Sequence, residues 1–166
     1  MSSTAFATCD LCDAHEEDTS GAFRVLPPVF RDFGVARRFC GPVATVRAIE
    51  DNTRVREAVN APGEGRVLVV EGAASVRRAL LGGNLAAAAA ANGWAGIVVD
   101  GAVRDLAELI AAAIPIKALA LMPLRSVKRG EGQRDVAVEI QGVPVRPGDW
   151  LYADEDGIVV SATALV

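Results

Sequence analysis

Short apolar runs alternate with helix-like segments through the middle of the chain. Three of these runs, at 67–72 (VLVVEG), 94–101 (WAGIVVDG) and 116–122 (IKALALM), have the length and continuity of strands that are buried on both faces of a sheet. Helix-like segments separate them, and this order is typical of βαβ units. The pattern therefore predicts an α/β arrangement with a largely parallel central sheet.

The segment between the first two strands is predicted to be mainly helical. Residues 75–93 (SVRRALLGGNLAAAAAANG) indicate two helical pieces that are separated at Gly82 and Gly83. Asn84 is a candidate cap for the second piece, and Gly93 has the position of a C-terminal stop. The Ala-rich composition favours a helix that packs closely on a sheet.

Further elements flank this segment on both sides. Upstream, residues 39–50 predict a strand whose early proline suggests an edge position or a bend, and a helix is expected to begin at Asn52 or Thr53. Downstream, Gly101 is expected to make a tight turn before a helix at 106–113. These elements extend the same alternation of strands and helices.

The two ends of the chain differ from this middle part. At the start, residues 8–16 predict a short helix with Thr8 as its cap, followed by a loop at 18–30. The last third contains short β-like runs joined by Gly, Pro and Asp turns, with a hairpin signal at 155–157; these runs are VAVEI, LYAD and GIVVSA. We expect this β-rich part to pack against the α/β layer, so that residues 1–166 form a single domain.

Composition and charge narrow the function classes. The chain has 166 residues, of which 51% are hydrophobic, and its formal net charge is -4 at pH 7. Direct binding of nucleic acid needs a surplus of Lys and Arg, which an acidic chain lacks. Asn84 and Asn92 bracket the longest Ala run, and the start has no basic region before an apolar core, so neither a membrane span nor a signal peptide is expected. A cytoplasmic location is predicted.

Three cysteines and one histidine are a separate candidate group. Cys9 and Cys12 make a C-x-x-C motif, which occurs in redox pairs and as half of many zinc sites. His15 alone is too little to supply the second half of a zinc site, and the motif opens a helix instead of following a strand. The three cysteines, Cys9, Cys12 and Cys40, are therefore predicted to be packed or partly buried thiols.

Ligand sites in α/β sheets gather where the carboxyl ends of strands lead into helices. The first such corner is Gly82-Gly83-Asn84-Leu85. Its two glycines allow unusual backbone angles and close approach of a ligand, and the first-turn amides of the following helix would face a small carboxylate. The alternative is that the glycines only end one helix and Asn84 starts another.

The second corner, at 100–105, lies between a buried-type strand and a helix. Arg104 and Asp105 are expected to point in different directions, so that the guanidinium could pair with a carboxylate while an Asp oxygen binds a hard cation. Glu108, on the same helical face, could hold a water bound to that cation or could simply be solvated. The alternative is an Asp helix cap beside a surface Arg.

The segments GRVLVVEG, SVRRALLGGNLAAAAAANGWAGIVVDGAVRD and DWLYADEDGIVVS resemble the RraA-like, class II aldolase-related family. LCDAHEED and CGPVATV match too, so the resemblance covers nearly the whole chain. The family includes regulators of ribonuclease activity and 4-hydroxy-4-methyl-2-oxoglutarate aldolases. The resemblance implies a layered β/β/α swivelling-domain fold and ring-shaped homotrimers with sites near the subunit interfaces.

The same resemblance implies roles for the two corners. Gly82 to Leu85 would contact the substrate carboxylate through backbone amides, Arg104 would bind the substrate, and Asp105 would coordinate a divalent cation, usually Mg²⁺ or Mn²⁺. One departure is Gly83, because the established aldolases carry there an acid that helps to order metal-bound water. Conversely, this chain keeps Asp105, which some members known for ribonuclease regulation lack.

Two functions follow from these residues and this resemblance. The first is a divalent-metal-dependent lyase that acts on 2-oxo acids through a pyruvate enolate, as a 4-hydroxy-4-methyl-2-oxoglutarate aldolase with oxaloacetate decarboxylase side activity. The cation and Arg104 would stabilise the enolate, and a metal-bound water, held by Glu108 or by an acid of a neighbouring subunit, would act as the base. The alternative is binding and inhibition of a ribonuclease without catalysis, which depends on the family name alone. A quinone methyltransferase has no support, because a methyl-donor glycine loop is absent.

Overall fold

The computed structural model describes residues 5–35 and 38–166. Within these ranges the helices are α1 (Thr8–His15), α2 (Thr53–Asn60), α3 (Gly83–Ala91) and α4 (Leu106–Ala111). The strands are β1 (Phe23–Val25), β2 (Arg31–Asp32), β3 (Phe39–Arg47), β4 (Val67–Glu71), β5 (Ala79–Leu81), β6 (Gly96–Asp100), β7 (Ala102–Val103), β8 (Ile116–Ala118), β9 (Ala120–Leu121), β10 (Gln133–Arg134), β11 (Val138–Ile140), β12 (Val143–Val145), β13 (Trp150–Ala153) and β14 (Ile158–Ser161). None of the described helices combines the length and the apolar character that a membrane crossing requires.

Nine of the described strands form one mixed sheet. Its order is β1-β14-β13-β3-β4-β6-β8-β2, and β10 pairs with β3 outside this path. The centre, β3-β4-β6-β8, is parallel, because α2, α3 and α4 provide the crossovers. β13 and β14 form an antiparallel hairpin across 155–157, where the Asp154 N–H donates to the Gly157 carbonyl at 3.1 Å. The predicted α/β class, parallel centre, packed β-rich C-terminal part and hairpin turn are confirmed.

Strand β3 lies in the middle of this sheet, so of the two predicted alternatives, an edge position or a bend, the edge position is wrong. Its first part pairs antiparallel with β13, up to Pro42 opposite Trp150, and its second part pairs parallel with β4, from Val43 opposite Val67. Pro42 therefore stands where the strand changes partners, and the Val43 N–H makes the next bond, to the Asp149 carbonyl at 2.7 Å. A proline, which has no N–H, is tolerated at such a junction.

A second, three-stranded parallel sheet has the order β5-β7-β9. Residues 79–81 form β5 and not the predicted helix, because all three are buried and the strand pairs with β7. Gly101 does not make the predicted turn, since the chain runs on from β6 into β7. The predicted strand at 116–122 divides into β8 and β9 at Leu119, whose N–H donates to the Gly101 carbonyl at 2.9 Å. Three central strands thus lead into the second sheet.

Two hydrophobic cores cover the two faces of the central sheet. Leu68 and Val70 of β4 pack under α2, α3 and α4, whereas Val67 and Val69 face the β11–β12 hairpin, β13 and β14. All four side chains are fully buried, as the continuous apolar run predicts. Burial of each such side chain stabilises the fold by about 1.5–3 kcal/mol. The three helices are thereby fixed on one face of the sheet.

The N-terminal segment is attached to the C-terminal hairpin. Thr8 lies inside α1 and Ala7 is the N-cap residue, so the predicted capping role of Thr8 is wrong. Instead the Asp154 carboxylate accepts hydrogen bonds from the Thr8 N–H and hydroxyl, at 2.7 and 2.6 Å. The predicted loop at 18–30 contains β1, which pairs with β14. The predicted end of the helix at 106–113 is also wrong. Helix α4 ends at Ala111, and Ala113 has a left-handed φ of 56°.

Candidate active site

The ends of β5 and β7 bring the two predicted corners together. The strands are parallel neighbours with Leu81 opposite Val103, and the Arg104 N–H donates to the Leu81 carbonyl at 3.0 Å. Gly82 follows the first strand and Arg104 follows the second, so both lie at the same edge of the second sheet. The pairing therefore makes the two corners neighbours.

Asp105 has an unusual backbone conformation that aims its side chain at the first corner. It is the N-cap residue of α4, with φ 64° and ψ 51°, and its carboxylate makes no capping bond to its own helix. Its Oδ2 instead accepts a hydrogen bond from the Gly83 N–H at 3.0 Å. A left-handed backbone costs a non-glycine residue on the order of 1 kcal/mol, and such strain clusters at functional sites. Asp105 is therefore more than a plain helix cap, because its carboxylate caps α3.

The side chains of Arg104 and Asp105 lie side by side over Gly82. A Cβ atom on Gly82 would stand 2.7 Å from Asp105 Oδ2 and 3.4 Å from Arg104 Nε. The two charged groups are 3.9 Å apart, from Nε to Oδ2. The expectation that they point in different directions is wrong, because the left-handed residue breaks the alternation of an extended chain. A ligand above Gly82 can therefore meet both groups.

Gly83 leaves room for the Glu108 side chain. A Cβ atom on Gly83 would overlap the Glu108 carboxylate and would lie 2.5 Å from Glu108 Cβ. Gly82 has a φ of -127° and Gly83 is the first helical residue of α3, so the glycines serve close approach and not the unusual backbone angles suggested by the sequence. The space beside residue 83 therefore does contain a carboxylate, which comes from α4.

The first turn of α3 presents backbone N–H groups to the same place. Gly82 is the N-cap residue, so the predicted capping role of Asn84 is wrong: the helix starts earlier because Asp105 accepts the bond from its first N–H. Within residues 5–35 and 38–166, no acceptor bonds to the N–H groups of Asn84 and Leu85, and both residues line the cavity described next. Unpaired first-turn amides and the helix dipole favour an anion such as a small carboxylate.

A cavity of about 310 Å³ lies over these groups. It is lined by all six residues that the sequence assigned to the two corners, namely Gly82, Gly83, Asn84, Leu85, Arg104 and Asp105. Glu108 stands against Gly83, outside the lining. The remaining lining residues, which the sequence did not indicate, are Asn52, Arg56, Ala79, Arg125, Ser126 and Lys128. The last three follow β9, so the same argument from strand ends could have found them.

The loop after β9 is held against β5 by hydrogen bonds. The Ala79 N–H donates to the Leu124 carbonyl at 2.8 Å. The buried Ser126 hydroxyl donates to the Ala79 carbonyl at 2.6 Å. These two bonds fix the backbone on both sides of Arg125.

Asp51 ties the start of α2 to the far end of this loop. Its buried carboxylate accepts hydrogen bonds from the Thr53 N–H and hydroxyl and from the N–H groups of Arg129 and Glu131, at 2.6–3.3 Å. Burial alone would raise the pKa of Asp51, but these donors outweigh it and lower the pKa to about 2. The neighbouring Asn52 has a buried Oδ1 without a hydrogen-bond partner in the described part of the chain.

The cavity is a positive region on an acidic chain. Four cationic residues line it, Arg56, Arg104, Arg125 and Lys128, against the single carboxylate of Asp105. The chain as a whole carries a formal charge of -4. A concave surface lined by charges of one sign raises the local concentration of small ions of the opposite charge. The arrangement is therefore suited to an anionic ligand.

The cysteines lie around α1, outside this lining. Cys9 is exposed and its thiol donates to the Asp156 carboxylate at 3.5 Å, whereas Cys12 and Cys40 are partly buried against the α1 core. The bond to Asp156 raises the pKa of Cys9, and burial raises the pKa of the other two thiols, which disfavours a reactive thiolate. His15 stacks on a Phe ring with centroids 4.7 Å apart. The prediction of packed or partly buried thiols is thus confirmed for Cys12 and Cys40 and is wrong for Cys9, which is exposed.

A named bacterial protein is similar in sequence to this chain over almost the full length of both. A protein of Albidiferax ferrireducens, named "putative 4-hydroxy-4-methyl-2-oxoglutarate aldolase", is 65% identical over 170 residues. The match covers 98% of this chain and 98% of the relative.

Two solved structures have the same fold over nearly the whole chain. The RNA-processing inhibitor RraA from Thermus thermophilis is 45% identical, with a TM-score of 0.91, over 98% of this chain and 96% of that one. The S-adenosylmethionine:2-dimethylmenaquinone methyltransferase from Geobacillus kaustophilus is 43% identical, with a TM-score of 0.90, over 96% and 97%. The family model described as RraA-like, Aldolase/RraA, matches residues 8–160. The chain therefore belongs to the RraA-like family.

Proposed function

We propose that this protein is a divalent-metal-dependent lyase of 2-oxo acids, which cleaves 4-hydroxy-4-methyl-2-oxoglutarate and decarboxylates oxaloacetate. The observation that carries the proposal is the meeting of Arg104, Asp105 and the first-turn amides of α3 above Gly82 in one cavity. A guanidinium, a carboxylate and unpaired amides are groups that can bind and polarise a 2-oxo acid. The name of the 65% identical relative supports the same chemistry.

The residues at the site fit a magnesium or manganese ion. The Asp105 side chain is 38% exposed, and the Gly83 N–H bonds to its Oδ2, which leaves Oδ1 as a ligand atom. Magnesium binds to one or two carboxylates and keeps several waters, so a single Asp ligand is enough. A cluster of three or more Asp, Glu, His or Cys side chains, which other metals need, does not occur among the described residues. Asp105 would bind the ion, and Glu108 would hold one of its waters. When bound there, the ion supplies a Lewis acid that polarises the substrate carbonyl.

The chain's own groups supply binding and charge stabilisation. The N–H groups of Asn84 and Leu85 would hold the C1 carboxylate, which places the 2-oxo group beside Arg104. When the C3–C4 bond breaks, its electron pair forms the pyruvate enolate, and the Arg104 guanidinium stabilises the negative enolate oxygen. The proton of the C4 hydroxyl would pass through a water to the Glu108 carboxylate, and the C4 fragment leaves as a second pyruvate whose ketone carbon is the former C4. The enolate then takes up a proton at C3 and leaves as pyruvate.

Pyruvate release tests this proposal. The wild type should release pyruvate from 4-hydroxy-4-methyl-2-oxoglutarate and from oxaloacetate with Mg²⁺, and should stop when a chelator is added. Asp105→Asn should lower kcat on the order of 10²-fold or more, as loss of one charge-stabilising group does in other active sites. Asp13→Asn, which changes an exposed carboxylate on α1, is the matched control and should keep full activity. Equal release by wild type and Asp105→Asn contradicts the site, and absence of metal-dependent release contradicts the lyase.

A second candidate function is inhibition of a ribonuclease, which the TM-score of 0.91 with the RNA-processing inhibitor RraA favours. Such inhibition would use the outer surface, so Asp105→Asn should still bind and inhibit a ribonuclease E type enzyme in a pull-down and cleavage assay. Failure of the wild type to bind such an enzyme would contradict this candidate.

We further propose a homotrimer in which residues 1–166 form one domain of each subunit. Leu106 and Ile110 on α4 and Leu121 on β9 are exposed apolar side chains on the elements that flank the site, and they support a subunit contact there. Light scattering measures the mass in solution, and a monomer would contradict the trimer.

A further inference from the structure

Three cationic side chains at the cavity lack a neutralising partner. They are Arg56 on α2 and Arg125 and Lys128 on the loop after β9, and we call them the cationic wall. Their side chains form no hydrogen bond or ion pair with any other part of residues 5–35 and 38–166. By contrast, Arg24 and Arg47 pair with carboxylates at 3.0 and 3.3 Å. The cationic wall is therefore available for a ligand.

The backbone holds the cationic wall in place, although its side chains are exposed. The loop is anchored by Ser126, which bonds to β5, and by the Arg129 N–H, which donates to the Asp51 carboxylate at 2.7 Å. The same carboxylate binds the first turn of α2, and that helix carries Arg56. Both elements of the cationic wall are thus tied to one another and to the sheet that carries the site.

The charge of the cationic wall exceeds what a monocarboxylic 2-oxo acid can neutralise. In the proposed function, one substrate carboxylate meets the first turn of α3, and Arg104 faces the 2-oxo group. Asp105 is the single carboxylate in the lining, so the three cations of the wall have no counter-ion there. Bonds from Arg and Lys to a carboxylate are charge-assisted and roughly twice as strong as neutral hydrogen bonds. A second anionic group on the ligand would satisfy these cations.

We propose that the cationic wall binds a second carboxylate of the substrate and so selects dicarboxylic over monocarboxylic 2-oxo acids. This inference rests on the proposed function for the position of the first carboxylate. The cavity lining then has two anion-binding groups, the first turn of α3 for C1 and the cationic wall for the distal carboxylate. Its volume of about 310 Å³ suits a small metabolite and not a large ligand.

Calorimetric titration with two uncleaved ligands tests the cationic wall directly. 2-Oxoglutarate and 2-oxopentanoate have the same chain length and differ by the second carboxylate, so the ratio of their Kd values reports on that group alone. The wild type should bind 2-oxoglutarate more tightly, with Mg²⁺ and also with chelator. Arg56→Gln and Lys128→Gln should each lower this preference by about two- to fivefold, because exposed charge pairs contribute modestly.

Arg129→Gln is the matched control for these variants. Arg129 is next to Lys128 and is also exposed, but it does not line the cavity, so the preference for 2-oxoglutarate should equal that of the wild type. The inference is overturned if the wild type shows no preference or no binding of 2-oxoglutarate. It is also overturned if the wall variants weaken both ligands equally.

Turnover separates failure of this inference from failure of the proposed function. The ratio of kcat/KM for 4-hydroxy-4-methyl-2-oxoglutarate to that for 4-hydroxy-2-oxopentanoate, which has one carboxylate, should fall in the wall variants by the same factor as the binding preference. A binding preference without any metal-dependent turnover contradicts the lyase and supports the cationic wall. Turnover with the same ratio in wild type and wall variants contradicts the cationic wall and supports the lyase.

Discussion

Replacing Gly83 by alanine perturbs the contact between α3 and α4 on which the role of Glu108 depends. The added Cβ would overlap the Glu108 carboxylate and lie 2.5 Å from its Cβ, so α4 or the side chain must move. Overpacking of this kind costs about 1–3 kcal/mol. Alanine instead of glycine in a helix contributes about 0.5–1 kcal/mol in the opposite direction. The single variant should therefore lose about 0–2.5 kcal/mol of unfolding free energy, as the difference between these two effects.

A double-mutant cycle isolates the contact itself. In a Glu108→Gly background neither the carboxylate nor the Cβ remains, so Gly83→Ala should now stabilise the protein by about 0.5–1 kcal/mol. The coupling between the two substitutions should be about 1–3 kcal/mol. Urea unfolding of the four proteins, followed by circular dichroism, measures this coupling from the midpoints and slopes. A coupling below about 0.5 kcal/mol, the level of independent sites, would refute the contact.

Three further predictions concern the charge and the anchoring of the site. Arg104→Lys keeps the charge but loses the planar guanidinium, so kcat for pyruvate release should fall about 10²-fold; an unchanged kcat would argue against its role at the enolate. Ser126→Ala removes the hydroxyl hydrogen bond to the Ala79 carbonyl and should cost about 0.5–1.5 kcal/mol in urea unfolding, whereas no loss would mean that the loop is held by other contacts. Asp51 has a pKa lowered from 3.8 to about 2, so its contribution of about 2 kcal/mol is complete above pH 4 and is lost as the pH falls through 2. Asp51→Asn should flatten the stability profile between pH 4 and pH 2, and an equal slope in both proteins would contradict this assignment.

The apolar runs predicted the central sheet correctly because a continuous run such as 67–72 has no polar face to expose. The strand β5 was missed for a physical reason. Ala79, Leu80 and Leu81 are all compatible with a helix, and only their pairing with β7 and their burial select the strand. A partner more than 20 residues away decides this conformation, and no local pattern contains that information.

The candidate site was predictable where it depends on strand ends and not where it depends on one backbone angle. The residues at 82–85 and 104–105 follow strands, and this position indicated them. The side-chain direction of Asp105 follows from its left-handed conformation, which a pattern of residue types does not specify. The argument from strand ends also indicates the loop after 116–122, but the pairing of β9 with β7 that brings Arg125 and Lys128 of this loop to the site is not contained in a local pattern.

The overlap between Glu108 and any side chain at residue 83 also constrains how such proteins can diverge. In this chain the Glu108 side chain fills the space that a side chain at residue 83 would need, so both fit only if α4 or the Glu108 side chain shifts. Homologous chains with an acid at position 83 should therefore differ from this chain in the position of α4 or in the side-chain conformation of the residue at position 108. A signature that requires an acid at one fixed position would wrongly separate homologues that keep the carboxylate in the same space.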